Sequence, residues 1–342
     1  MALLATLGLL LLLEIGLQIR MYLLTGQMAF GVASPSLVIR DKATGLRLLR
    51  RNFRVEGRKM VVETNSLGLR GPDIPRMREA GEWRIAMVGA SSIFGATTAR
   101  NEETVPQRLE RELRHRMPDR PVTVINGGIP GYSIEEVTRQ LEHVIAPLGP
   151  QMVLFYPGFQ QISGSCRQRG DSGAIGMRLP YVTLPKWSLT YDLIYKNAAF
   201  LREKPRLKPA ARSPVFDVAA YRESLERLHE AAHSAGAELV LMTAARGWRE
   251  DLPLEDNLVL SRNIRHFANC LDTASLIAAT DLYNQTLRDH ADEKGLMLID
   301  LAREVPGGFA HFDDGNHFSA KGEALVARLI ADRLESRGAP AP

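Results

Sequence analysis

The chain has almost no cysteine, only Cys166 and Cys270 in 342 residues. Two are too few for a disulfide framework, and neither sits in a C-x-x-C pair, so metal or redox chemistry built on cysteine is excluded. A single disulfide between them and two idle thiols both fit. There is no helix-turn-helix, no zinc-finger spacing and no RNP-type aromatic motif, which removes nucleic acid as a partner. Neither the dinucleotide fingerprint nor a lysine-bearing Walker pattern occurs, so residues 89–95 are not a nucleotide-phosphate loop and no cofactor is expected. Internal repeats and low-complexity tracts are absent as well.

What is present is ordinary globular composition, 45% hydrophobic and 24% charged, in a chain long enough for one large domain with appendages. The net charge of +4 is unevenly spread. Residues 40–59 hold eight Lys/Arg against Asp41 and Glu56, and residues 166–212 hold ten against Asp171, Asp192 and Glu203. Regional basicity of this kind points to a membrane surface or an anionic substrate.

One long apolar run opens the chain. From Ala2 to Ile19, nine Leu and two Ile contribute roughly −5 kcal/mol toward membrane insertion, against about +3 for the single carboxylate of Glu14. The expectation is a single-pass anchor over residues 1–25, with Arg20 snorkelling to the interface and Glu14 protonated or snorkelling near one boundary. The competing reading is a signal peptide with an apolar region at 3–13 and cleavage near Ala33, although no basic residue precedes the run. Taken literally, the basic segment 40–59 keeps the following domain cytoplasmic.

Residues 26–83 read as a basic linker and a short lead-in, with a brief strand and a turn-rich stretch on Asn65, Gly68, Gly71 and Pro72 between residues 60 and 75. From residue 84 to about 336 short apolar runs alternate with amphipathic helices. The runs at 85–88, 122–125, 152–156, 239–242 and 296–299 predict a five-stranded parallel sheet covered on both faces, an α/β fold. Helices are expected to start at Thr104-x-x-Gln107 with Pro106, and at the capping box Ser133-x-x-Glu136, which assigns Ser133 to capping. Further helical patterns cover 218–234, much of 258–292, and 320–335. Two connections are long: 162–214, read as a cap-like insertion bearing Tyr181, Trp187, Tyr191 and Tyr195, and 244–257 with Trp248.

Four segments fall at strand ends on one rim of this sheet. They are Gly89-Ala90-Ser91-Ser92, Asn126-Gly127-Gly128-Ile129-Pro130-Gly131, Gly158-Phe159-Gln160-Gln161, and Asp313-Asp314-Gly315-Asn316-His317. Acyl transfer needs a hydroxyl, a base, a carboxylate to hold the base in the right tautomer, and donors for an oxyanion. Ser91 supplies the nucleophile, His317 the base and Asp314 its partner three residues away. The backbone N–H groups of Ser91 and Gly131 and the Gln160 side chain supply the oxyanion donors. An ordinary strand-to-helix turn at Ser91, and a metal site built on His311, Asp313, Asp314, Asn316 and His317, are the alternatives.

These four blocks resemble the SGNH/GDSL hydrolases over roughly residues 84–334, and residues 65–71 are similar to the lead-in of membrane-anchored members. The late Asp314-Gly315-Asn316-His317 block, followed by Phe318-Ser319 and Gly322, is the most specific part. The resemblance implies a three-layer flavodoxin-like fold, an extracytoplasmic catalytic domain, and ester hydrolysis or acyl transfer on a carbohydrate or small-molecule ester through Ser91, Asp314 and His317. A ligand-binding domain that retains the fold without turnover is the other outcome. Two departures stand out. Ala90 replaces the Asp of the Gly-Asp-Ser signature, and Gln160 replaces an Asn, setting its amide one methylene further out. A displacement of about 1 Å in a donor can cost on the order of a hundredfold in rate.

Overall fold

The computed structural model describes residues 2–25, 37–57, 60–168, 188–190, 216–268 and 271–337. Most of the expected cap, with Tyr181, Trp187, Tyr191 and Tyr195, lies outside these residues, as do the Ala33 cleavage position and Cys270.

The apolar run forms one helix, Ala2–Thr25, and Leu4–Leu23 is long and apolar enough to cross a membrane. Its leucines are largely exposed, but Glu14 and Gln18 are buried. Glu14 accepts hydrogen bonds from Gln18 Nε2 (2.6 Å), Leu189 N (3.0 Å), Thr190 N (2.8 Å) and Ser188 Oγ (3.3 Å). The carboxylate therefore sits mid-helix, satisfied by donors from a distant segment, instead of snorkelling at a boundary.

Residues 38–63 form two small antiparallel pairs, β1 (Val38–Arg40) with β2 (Arg47–Leu49) and β3 (Arg54–Glu56) with β4 (Val61–Glu63). Charge obscured the first three of these strands in the sequence, yet Leu46 and Leu49 are buried in the same core as the main sheet. Asn65 organises the turn that follows. Its Oδ1 accepts from the N–H groups of Leu67 and Leu69, and its Nδ2 donates to Pro72 O.

The main sheet comprises β5 (Trp83–Gly89), β6 (Val122–Gly128), β7 (Met152–Tyr156), β8 (Glu238–Met242) and β9 (Met297–Ile299). All pairs are parallel, in the order β6-β5-β7-β8-β9. Numbered from the first strand of the sheet this is 2-1-3-4-5, the flavodoxin-like order, whose ligand crevice lies at the carboxyl ends of the strands. β5 and β7 are buried at every residue, as expected of strands covered on both faces. Helices Val105–Arg116 and Ala320–Arg337 pack together, while Ile134–Gln140, Val218–Ser234 and Thr273–Lys294 form a second group.

Local details refine the sequence reading. β6 runs through Gly128 instead of ending near Ile125, because glycine lets the short helix after β5 lie directly on the strand. A Cβ on Gly128 would stand 2.1 Å from Phe94 N. Ser133 completes a capping box with Glu136. Thr104, by contrast, gives no side-chain cap. Its hydroxyl donates to Asn101 O, and the Val105 N–H is met by Glu323 Oε2 at 2.5 Å from the last helix. The helical stretch expected over 258–292 is divided into Leu254–Leu260, Arg262–Phe267 and Thr273–Lys294.

Candidate active site

Ser91 is the first residue of a single helical turn, Ser91–Phe94, that follows β5 directly and closes on Gly95 in the left-handed region. A helix start leaves the first N–H groups without intrahelical acceptors, so the Ser91 amide is available to a ligand. The neighbouring Ser92 is buried and donates to Asn316 O at 2.9 Å. This contact helps join the Ser91 turn to the late block across more than two hundred residues of sequence.

The late block is itself a tight loop. Phe312 and Phe318 bridge in antiparallel fashion, Asp313 N donates to His317 O (2.9 Å), and Gly247 N donates to Gly315 O (2.6 Å). Both phenylalanines are buried, so the loop rests on apolar packing while its polar side chains face the rim. His317 Nε2 lies 2.8 Å from Ser91 Oγ. His317 Nδ1 lies 2.8 Å and 2.9 Å from the two oxygens of Asp314. With Nδ1 protonated toward Asp314, the Nε2 lone pair is free to accept the Ser91 proton.

Among the described residues, four donors from three residues hold Asp314. His317 N and Asn316 N donate to Oδ1 (3.1 and 3.4 Å), the imidazole donates as described, and Asn263 Nδ2 donates to Oδ2 at 3.0 Å. Burial alone would push its pKa up, but the hydrogen bonds and charge of His317 and the backbone donors bring it below the usual carboxylate value. Asp314 is therefore an anion at neutral pH. Asn263 also donates to Asn316 Oδ1 (3.3 Å), and Asn316 Nδ2 is 3.3 Å from His317 Nε2. Nothing in the sequence marked Asn263, which lies in the middle of a helical run.

Gly131 and Gln160 occupy the loops after β6 and β7, the two strands flanking β5. Gly131 has φ +78° and is exposed, and no described acceptor takes its N–H. Its loop is tied to β5 by Ile129 N donating to Gly89 O at 3.2 Å. Gln160 opens the helix Gln160–Gln168. Its Oε1 is buried without a partner, while its donor end, Nε2, is not buried. The side chain folds back over Gly158, where a Cβ would meet Gln160 Oε1 at 2.1 Å and the Ala90 Cβ at 2.8 Å. The extra methylene of Gln is thus taken up by a glycine beside the residue preceding Ser91.

Beneath the Ser91–Phe94 turn lies a buried arginine, Arg70, from the lead-in. It donates to Phe94 O (2.9 Å), Gly95 O (2.6 Å), Thr98 O (3.2 Å), Val61 O (3.3 Å) and Asn101 Oδ1 (2.9 Å). Burial draws its pKa down to about 10. Among the described residues no group of three or more His, Cys, Asp or Glu is gathered in a way that could hold a metal ion.

The fold is similar to those of several solved ester hydrolases. These include the lipase/acylhydrolase from Enterococcus faecalis (17% identity, TM-score 0.46, covering 76% of this chain and 98% of that one). A GDSL-like lipase from Bacteroides thetaiotaomicron gives 10% identity and TM-score 0.42 (76% and 91%). The psychrotrophic esterase EstA from Pseudoalteromonas sp. gives 12% and 0.44 (75% and 98%). No protein-family model and no curated protein sequence matches the chain.

Proposed function

We propose that this protein is a membrane-anchored serine ester hydrolase of the SGNH type. The observation that carries this reading is the continuous chain from Ser91 Oγ through His317 to Asp314, with contacts of 2.8 Å at each step. Ser91 Oγ attacks the ester carbonyl carbon as its proton passes to His317 Nε2. The oxyanion that forms is met by the N–H groups of Ser91 and Gly131 and by Gln160 Nε2. Collapse breaks the carbon–oxygen bond, the leaving alkoxide takes the proton from His317, and an acyl ester remains on Ser91. Water, activated by the same nitrogen, releases the acid. A sugar hydroxyl in place of water gives acyl transfer, and a cell-surface carbohydrate ester is the substrate class we infer.

Retention of the helix in the mature chain is supported by Glu14. Removal of the helix as a signal peptide would strip Ser188, Leu189 and Thr190 of the acceptor that all three share. An extracytoplasmic position for the catalytic domain belongs to the same proposal.

The test is turnover of p-nitrophenyl acetate by the detergent-solubilised full chain and by Ser91→Ala, together with labelling by a fluorophosphonate. Wild-type turnover with Ser91 recovered as the labelled residue is the expected result. Equal rates for the two proteins would refute the triad, and ligand binding without labelling would favour a non-catalytic domain.

A further inference from the structure

The lead-in hairpin β1–β2 carries a residue that reaches the active-site rim. Arg47 projects from β2 onto the loop that holds Gly131. Its Nη2 donates to Gly131 O at 2.9 Å and its Nη1 to Pro130 O at 3.5 Å. Nε and Nη2 also pair with Glu136, at 3.3 Å and 3.1 Å. The guanidinium lies 5.4 Å from the centre of the Tyr132 ring, and the Tyr132 hydroxyl donates back to Arg47 O. Six interactions thus connect one side chain and its backbone to residues 130–136.

The peptide between Pro130 and Gly131 is the one whose N–H is assigned to the oxyanion. In a trans peptide the C=O and N–H point in opposite directions. A donor on Pro130 O therefore directs the Gly131 N–H away from the guanidinium. Gly131 needs such a hold, because its φ of +78° lies in a region where glycine has freedom to leave. The far side of the loop is fixed independently by the Ser133–Glu136 capping box, and Glu136 serves both devices. A forked, planar cation is suited to this position, since two carbonyls and a carboxylate must be met together, which a single ammonium cannot do.

We propose that Arg47 is the positioning residue of the oxyanion loop, and that the lead-in hairpin is in this sense part of the catalytic unit. This rests on the serine-hydrolase reading above. The side chain is 37% exposed and its partner Glu136 31%, so the ion pair itself adds little stability. Its loss is expected in the rate.

The experiment compares an oxygen ester with its thionoester analogue, whose C=S sulfur is a poor hydrogen-bond acceptor, in the full-chain protein. Wild type, Arg47→Ala, Arg47→Lys and Glu136→Gln are measured, with Ser91→Ala as control. Arg47→Ala is expected to lower kcat for the oxygen ester by about tenfold to a hundredfold, since a displaced oxyanion donor costs on that order. KM should be nearly unchanged, and the oxygen-to-sulfur rate ratio should collapse. Arg47→Lys should not rescue, and Glu136→Gln, which preserves the capping box, should fall between. An unchanged ratio in both Arg47→Ala and Glu136→Gln overturns the proposal. So does a rise in KM for an anionic ester at constant kcat, which would make Arg47 a substrate contact. If Ser91→Ala is as active as wild type, the serine-hydrolase reading fails instead.

Discussion

Asn263 offers a sharp test of how the Asp314 carboxylate is held. It is one of four groups on Asp314 and the only side-chain donor among them besides His317. A hydrogen bond to a charged group is worth about 1.5–3 kcal/mol. The Asp314 side chain is 33% exposed, so solvent screening places this bond at the low end, about 1.5 kcal/mol or roughly a tenfold rate effect. Asn263→Ala should therefore lower kcat/KM for an activated ester by about tenfold. Asn263→Asp puts a second carboxylate against Asp314, replacing attraction by like-charge repulsion, and should cost at least as much. The assay is kcat/KM for the three proteins at neutral pH. Wild-type rates in both variants would refute the role.

Two further outcomes follow from packing and burial. Gly128→Ala places a Cβ 2.1 Å from a backbone nitrogen, which no rotamer change relieves. A loss of about 2–3 kcal/mol is expected in urea unfolding, and a variant as stable as wild type would contradict the close contact between β6 and the Ser91–Phe94 turn. Glu323 is pushed up to about 8 by its burial, from an ordinary 4.5, despite hydrogen bonds from Thr98 and Val105 and the nearby Arg70 charge. A raised acid stabilises fully below its unfolded value and loses that contribution as pH rises through its folded one. Stability should then fall between about pH 5 and pH 8 with a slope of at most about 1.4 kcal/mol per unit. Glu323→Gln should lack this slope, and parallel curves would refute it.

The main sheet was legible because its signal is local. Each strand is a short apolar run between polar helices, and the structure keeps all five near the expected positions, extending β6 into its glycines. Ser133 was legible for the same reason, since a capping box is written within four residues. The meeting of Ser91, His317 and Asp314 was legible as residue types at strand ends, with Asp314 and His317 close enough in sequence for their pairing to be read. What the sequence did not disclose are the residues whose partners are remote. Ser92 was assigned to a turn, but its hydroxyl holds the late block from the opposite end of the domain. Thr104 looked like a cap, and a carboxylate from the last helix took the position instead.

The basic segment 40–59 shows most clearly how a local signal can mislead. Read by composition, its arginines form a charged face toward a membrane or an anionic substrate. In the fold, Arg47 is paired with Glu136, and Arg54 with Glu56 and Glu63. Arg70, farther along the lead-in, is buried against five oxygen acceptors behind the nucleophile turn. Guanidinium groups are here used as multi-pronged donors for backbone carbonyls, a task for which their planar fork is better suited than an ammonium. The lead-in thus grips two elements of the rim, with Arg70 behind the turn that carries Ser91 and Arg47 on the Gly131 loop. A segment that composition presents as a tether is, by its contacts, a brace for the rim that carries Ser91. Shortening the chain to residues 84–336 would remove both arginines, leaving the triad residues in the sequence but the loops beside Ser91 without these supports.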